Sequence, residues 1–199
     1  MIKRVFTIGY ATKPIDIFIQ QLKDYSVNAV ADVRSVPYSK AFFDYHRENI
    51  TSHLAKNGIR YVYLGDELGP RSKDDNHYNE NGQVQFDKLM EAKIFKQGIE
   101  RVNQGVERGF NIALMCAEKD PATCHRSLLI GYYLLRNNLT DITIDHITHD
   151  GQLETQQDLE NRLTQIHQTG TDLFMDECES KKQAYESQLK KTSYIKPLD

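Results

Sequence analysis

The chain lacks tryptophan altogether and has only three cysteines and five prolines among its 199 residues. An odd cysteine count without framework spacing excludes a disulfide-stapled secreted scaffold and suits a reducing compartment, so the expected location is cytoplasmic. No apolar run approaches bilayer-spanning length, which excludes the membrane as a partner through a transmembrane helix. The opening Met1-Ile-Lys-Arg-Val-Phe-Thr-Ile-Gly9 has a basic pair, but its apolar stretch is too short for a signal peptide and reads as a strand. Positive charge is not in excess either. At a formal charge of −3, nucleic acid is a partner only through a local basic cluster. What is present, 39% hydrophobic and 27% charged residues, is ordinary globular composition, and the length suits one substantial core. There is no internal repeat and no low-complexity segment.

Apolar runs alternate with helical patterns. Strands are expected at Arg4 to Ile8, Val27 to Val33, Ile59 to Leu64, Asn111 to Cys116 and Ile142 to Ile147. The first crossover has Thr12 as a candidate cap, Pro14 in the first turn, and Ile15, Phe18, Ile19, Leu22 and Tyr25 at helix spacing. A short helix from Glu48 to Asn57 buries Ile50 and Leu54 and stops at Gly58. Leu89, Met90, Phe95, Ile99, Val102 and Val106 describe one long helix or two broken ones, ending near Gly109. A further helix to about Asn137 carries Leu128, Leu129, Tyr132 and Leu135. This alternation predicts an α/β fold: a single domain of residues 1–155 with about five mostly parallel strands and helices on both faces. If the polar ends of strands one, two and four share one site, the strand order is 3-2-1-4-5. After the fifth strand a polar helical tract with Leu153, Leu159, Leu163 and Ile166 leads into a helical C-terminal extension, residues 156–199, that includes a charged helix near Asp172 to Lys191. That helix has Leu173, Phe174, Tyr185 and Leu189 as anchors and is expected to dock on the core or at a homo-oligomer contact.

The most informative segment is Asn111-Ile-Ala-Leu-Met-Cys-Ala-Glu-Lys-Asp-Pro-Ala-Thr-Cys-His-Arg126. It runs from an apolar strand through a proline turn into a helix and gathers two thiols, a carboxylate, an imidazole and a guanidinium at the junction. Unpaired N–H groups at a helix start favour anions and lower thiol pKa values, so Arg126 and this helix end form a candidate anion site. Asp120 as N-cap and Pro121 in the first turn are structural roles that coexist with it.

Taken together, Thr7-Ile-Gly-Tyr10, Asp32-Val-Arg-Ser-Val-Pro37, Gly58-Ile-Arg-Tyr61, Leu64-Gly-Asp-Glu-Leu-Gly69, Leu114-Met-Cys-Ala-Glu-Lys-Asp-Pro121, Cys124-His-Arg-Ser127 and His146-Ile-Thr-His149 carry a resemblance. The chain resembles the domain of unknown function 488 family over roughly residues 4 to 155, most specifically in its CAE…P…CHR and DVR…P blocks. The resemblance implies an α/β fold and a shared pocket, and no established activity. Leu68-Gly-Pro70 stands where the usual pattern has Leu-Gly-Gly, so the turn there is expected to differ.

Cys116, Glu118, Cys124 and His125 are the candidate catalytic residues, with Cys116 or Cys124 as nucleophile and Glu118, His125 or Glu67 as acid or base. Tyr10, Asp32, Arg34, Glu67, Arg71 and Arg126 are the candidate ligand-binding residues. Asp32 and Arg34 face the same way in an extended segment and either pair with each other or address a ligand. Arg34, Arg71 and Arg126 could converge on one anion, and the polar loop from Glu67 through Asp74, Asp75, His77 and Tyr78 reads as a lid or binding loop. The long Cys116 to Arg126 gap breaks a phosphatase or rhodanese-type loop. A zinc deaminase lacks its second cysteine pair. Gly9 lacks the companions of a dinucleotide fingerprint. Zinc on Cys116, Cys124 and His125 is set aside because three protein ligands are too few and neighbouring side chains should diverge, so neither metal nor cofactor is expected. The reading is an enzyme or binding protein with a polar pocket for a phosphate-bearing or nucleotide-like small molecule. The alternatives are a non-catalytic nucleotide-binding or nucleic-acid-associated module, and a purely structural partner protein.

Overall fold

The computed structural model describes residues 3–39, 41–137, 142–170 and 176–197. Its first half runs β1 (Lys3–Gly9), α1 (Ile15–Asp24), β2 (Ala29–Asp32), α2 (Arg47–Lys56), β3 (Arg60–Tyr63), α3 (Gly65–Leu68), α4 (Phe86–Glu91) and α5 (Lys93–Glu107). The second half runs β4 (Ile112–Cys116), α6 (Tyr132–Asn137), β5 (Ile142–Ile147), β6 (Leu153–Thr155), α7 (Gln156–His167) and α8 (Glu177–Thr192). Apolar alternation along the strands sorts side chains to two faces. Phe6, Ile8, Val30 and Met115 meet α1 and α2 through Phe18, Leu22, Ile50 and Leu54. Val5, Ala31, Leu114 and Cys116 meet Phe95, Val102, Leu129, Leu159 and Tyr185 from the later helices. The architecture is the expected α/β layering, helices on both faces of one sheet.

The sheet order is β3-β2-β4-β1-β5-β6, not 3-2-1-4-5. β4 lies between β1 and β2, pairing Gly9 with Cys116 on one side and Asp32 with Met115 on the other. The physical reason is composition. Every residue of β4 is buried, so it needs a covered strand on each side, whereas β3 alternates exposed and half-buried residues and sits at the edge. The ends of β1, β2 and β4 are still brought together, with β4 in the middle.

Other details depart from the sequence reading. Thr12 caps nothing: α1 starts at Ile15 with Pro14 in the N-cap position and no side-chain cap. The helical run from Phe86 breaks at Ala92, whose extended backbone separates α4 from α5. The next helix opens as a π-helical stretch, Arg126–Gly131, and Leu135 is 41% exposed rather than a core residue. Leu153 begins a sixth strand, antiparallel to β5, where a helical tract was expected. Of the expected tail anchors, Leu173 and Phe174 lie outside the described residues, as does the helix start at Asp172. The tail docks on the core through α8, where Tyr185 donates to the Leu128 carbonyl at 2.5 Å and Gln188 to that of Ala122 at 2.6 Å. Among the described residues no helix is long and apolar enough to cross a membrane.

Candidate functional site

Gly9 closes β1 where the chain leaving β4 passes directly over it. A Cβ there would stand 1.9 Å from the Glu118 carbonyl oxygen, so only glycine lets the two backbones meet. The chain then turns at Asp120, whose side chain accepts from the Ala122 N–H at 2.9 Å, with Pro121 opening a short 3-10 turn. Those two structural roles are as expected. Cys124 follows in extended backbone, φ −126° and ψ 139°, and His125 is already helical at φ −62° and ψ −23°. This change of conformation between neighbours swings both side chains to one side, correcting the expectation that they diverge.

They meet the end of β4. One ligating atom each from Cys116, Glu118, Cys124 and His125 lies within 4.8 Å of every other. His125 Nδ1 is 3.6 Å from Cys116 Sγ and 3.8 Å from Cys124 Sγ, and Glu118 Oε2 is 2.7 Å and 3.1 Å from the same sulfurs. His125 Nε2 is 2.9 Å from the Val33 carbonyl, an acceptor only, so Nε2 carries the proton and donates while Nδ1 faces the sulfurs. The two cysteines and His125 are buried; Glu118 is exposed as a residue, with its Oε2 turned to the two sulfurs. Burial raises the Cys116 thiol pKa, and Cys124 and Glu118 beside it add to the rise. Burial also opposes ionisation of Cys124, but the Cys116 hydrogen bond and the Arg126 and His125 charges outweigh it and hold this thiol well below its ordinary value. Burial alone would lower His125, yet Cys124 and Glu118 raise it. Glu118 is raised by burial and by Cys124. The four groups therefore titrate in dependence on one another, with ionisation favoured at Cys124 and opposed at Cys116.

The expected ligand-binding residues do not join it as an open anion pocket. Arg34 is buried and fully engaged: Nε and Nη2 donate to Asp32 at 2.8 Å and 2.6 Å, Nη1 to the Tyr45 carbonyl at 2.9 Å and to Tyr10 Oη at 3.2 Å. Asp32 also accepts from Tyr61 Oη at 2.7 Å, and Tyr10 stacks on Tyr45 at 4.2 Å. Of the two alternatives for this pair, the internal brace is what the side chains form. Glu67 pairs with Arg101 of α5. Arg71 is exposed, its guanidinium 4.8 Å over the Tyr194 ring. Arg126 is wholly buried, with Nε donating to Thr7 Oγ1 at 3.2 Å, Nη1 to the Glu118 carbonyl at 2.7 Å and Nη2 to that of Lys119 at 3.4 Å. Each of the three arginines is engaged where its own segment packs, Arg34 on Asp32, Arg71 on Tyr194 and Arg126 on Thr7 and two carbonyls. The loop from Glu67 to Tyr78 is packed rather than loose, with Ser72 Oγ 2.7 Å from His77 Nδ1 and Tyr78 donating to the Ser72 carbonyl at 2.7 Å.

Two residues were given no role in the sequence reading. His146, wholly buried in β5, has Nδ1 2.8 Å from Thr7 Oγ1 and Nε2 3.0 Å from Gln156 Oε1. Burial and the Arg126 charge lower its pKa to about 3. Lys13, 4% exposed, donates to Gln21 and, at 3.0 Å, to the Thr148 carbonyl, and burial with Arg126 lowers it to about 8. Their signal was polarity inside an apolar strand and next to Pro14, too slight without the fold.

Neither the curated proteins nor the solved structures offer a match to the chain. A family profile described as "Domain of unknown function DUF488" matches residues 14–133, which span β2, β4 and all four members of the cluster. The chain belongs to that family.

Proposed function

We propose that the protein is a metal-dependent enzyme whose centre is a zinc-class ion on Cys116, Cys124, His125 and Glu118, and whose ligand is a small phosphate-bearing or nucleotide-like anion. The observation that carries this is the convergence of four ligating atoms within 4.8 Å, three of them on buried residues. Tetrahedral zinc at ~2.3 Å from sulfur and ~2.0 Å from nitrogen sets its S and N donors about 3.6 Å apart. The S to N separations here are 3.6 Å and 3.8 Å. Glu118, at 2.7 Å from one sulfur, needs to swing out by under about 1 Å to take its corner. The Val33 carbonyl holds the imidazole with Nδ1 turned inward, the outer hydrogen bond that orients a metal-ligating histidine.

Charge supports the same reading. Arg126 is buried with no carboxylate in ion-pair distance among the described residues, an expensive state for a lone cation. Two thiolates, one carboxylate and a divalent ion carry a net −1, which Arg126 balances. Glu118 is the exposed member of the four, so it would be the residue nearest solvent among those holding the ion. The site also lies at the carboxyl ends of parallel strands, where α/β folds place their chemistry. A bound ion would supply Lewis acidity, and the Glu118 carboxylate beside it would hold or move a proton.

Elemental analysis of natively purified protein is expected to find stoichiometric metal. Cobalt(II) reconstitution should give thiolate charge-transfer absorption that is lost in Cys124→Ser and retained at lower affinity in Glu118→Gln. A protein that takes up no metal by either measure refutes the centre. A metal-loaded protein inert toward a panel of phosphate esters and nucleotides refutes the enzymatic part alone.

A further inference from the structure

Three other arginines, which no sequence pattern groups, share a cavity. Edge strand β3 and helix α5 enclose a cleft of about 250 Å³ whose walls include Arg60, Arg101 and Arg108. Its floor is apolar and buried: Ala29 and Ala31 of β2, Ile112 of β4 and Val102 of α5. Phe110 also lines it, with the Arg60 guanidinium 4.9 Å from its ring centroid. Arg101 has the carboxylate of Glu67 as partner. Arg60 and Arg108 have no carboxylate in ion-pair distance among the described residues. In a chain of net charge −3, these two exposed guanidiniums add positive charge beside the apolar floor.

The cleft is separate from the thiol cluster. Ala29 and Ile112 open β2 and β4, whereas Cys116 closes β4, about 13 Å further along by strand rise. Size and chemistry then narrow the occupant. An apolar cavity of roughly 150 Å³ admits benzene, so this cleft admits one or two fused rings and no polymer. A neutral ring would leave the arginines unanswered, and an inorganic anion would leave the apolar floor wet.

We propose that this cleft is a second ligand site, for a small anion with a flat apolar body: an aromatic or heteroaromatic carboxylate, sulfonate or phosphate monoester. The ring lies on the floor formed by Ala31 and Val102, and the charged group is met by Arg60 and Arg108. Because neither arginine contacts the thiol cluster, the site is independent of the metal reading and fits an effector rather than a reacting molecule.

The test is calorimetric titration of the full chain with 2-naphthalenesulfonate and with neutral 2-naphthol, metal content playing no part in the readout. The sulfonate is expected to bind saturably at one site, at least tenfold more tightly than naphthol. A charge-assisted hydrogen bond is worth about 1.5–3 kcal/mol, so Arg60→Gln alone should weaken the sulfonate by about ten- to a hundredfold. Val62, 37% exposed on the edge strand and lining the cleft, offers a variant that spares both arginines and the core. Val62→Trp should fill the cleft and abolish binding with an unchanged melting curve. Absence of saturable binding, equal affinity for naphthol, or undiminished binding in either variant overturns the proposal.

Discussion

Replacing His146 with glutamine removes a buried imidazole that cannot take up a proton without placing a second positive charge beside Arg126. In the folded chain its pKa is lowered to about 3, by burial first and by Arg126 next. The unfolded chain titrates near the ordinary histidine value of about 6.5, so it binds the proton first as pH falls. The stabilisation from a neutral His146 is thus fully present above about pH 6.5 and drains away as pH drops toward the folded value. Between pH 7 and pH 4.5 the difference amounts to about 2.5 kcal/mol, taking ~1.4 kcal/mol per unit of pKa. Urea unfolding of wild type and His146→Gln at both values isolates this contribution, because the titrating carboxylates are common to both chains. The variant is expected to start less stable at pH 7 and to lose about 2.5 kcal/mol less on acidification. Parallel losses in the two proteins would refute the reasoning and mean that His146 accepts a proton in place.

Lys13 has the opposite pH window: its folded value of about 8 lies below the unfolded 10.5, so the unfolded chain holds the proton longer and stability rises between those two values. Lys13→Met should flatten that rise, worth up to about 3 kcal/mol, in unfolding curves taken from pH 7 to pH 10.5; an unchanged slope refutes it. Arg126→Met orphans the Glu118 and Lys119 carbonyls and is expected to cost about 3 kcal/mol while loosening the segment that carries Glu118, so that cobalt affinity falls with stability. Urea midpoints and cobalt titration check both, and full wild-type stability would return Arg126 to the role of a ligand contact.

Periodicity made the five parallel strands and most helices legible, because Val5 to Ile8 and Ile112 to Cys116 announce their burial in their own composition. Sheet order was not legible. It depends on which apolar strand needs two neighbours, and β1 and β4 look alike in sequence. β6 escaped because Leu153 to Thr155 are largely exposed and give no apolar pattern. At the candidate site, the four candidate catalytic residues of the CAE…CHR block fall into one cluster. Their mutual geometry was hidden in a single backbone change between Cys124 and His125, which periodicity reads as helix throughout. The arginines misled for a general reason: a guanidinium near a strand end satisfies five donors wherever acceptors are densest, and in Arg34 and Arg126 those were Asp32 and backbone carbonyls.

That placement gives Arg126 its importance without any ligand contact. Its donors reach the hydroxyl of Thr7, and Thr7 continues to His146 and Gln156, so one chain of hydrogen bonds runs from the loop after β4 into β5 and α7. The same guanidinium fixes the carbonyls of Glu118 and Lys119 and lowers the Cys124 thiol through space. A buried cation has to be answered by negative charge in a medium where the attraction is strong. Here the group whose ionisation Arg126 favours is the Cys124 thiol rather than a carboxylate, and a thiolate is a soft donor suited to a metal ion. A carboxylate at position 124 would neutralise Arg126 just as well while removing a soft donor. Cys124→Asp is therefore the substitution that separates the structural demand for negative charge from the chemical demand for sulfur.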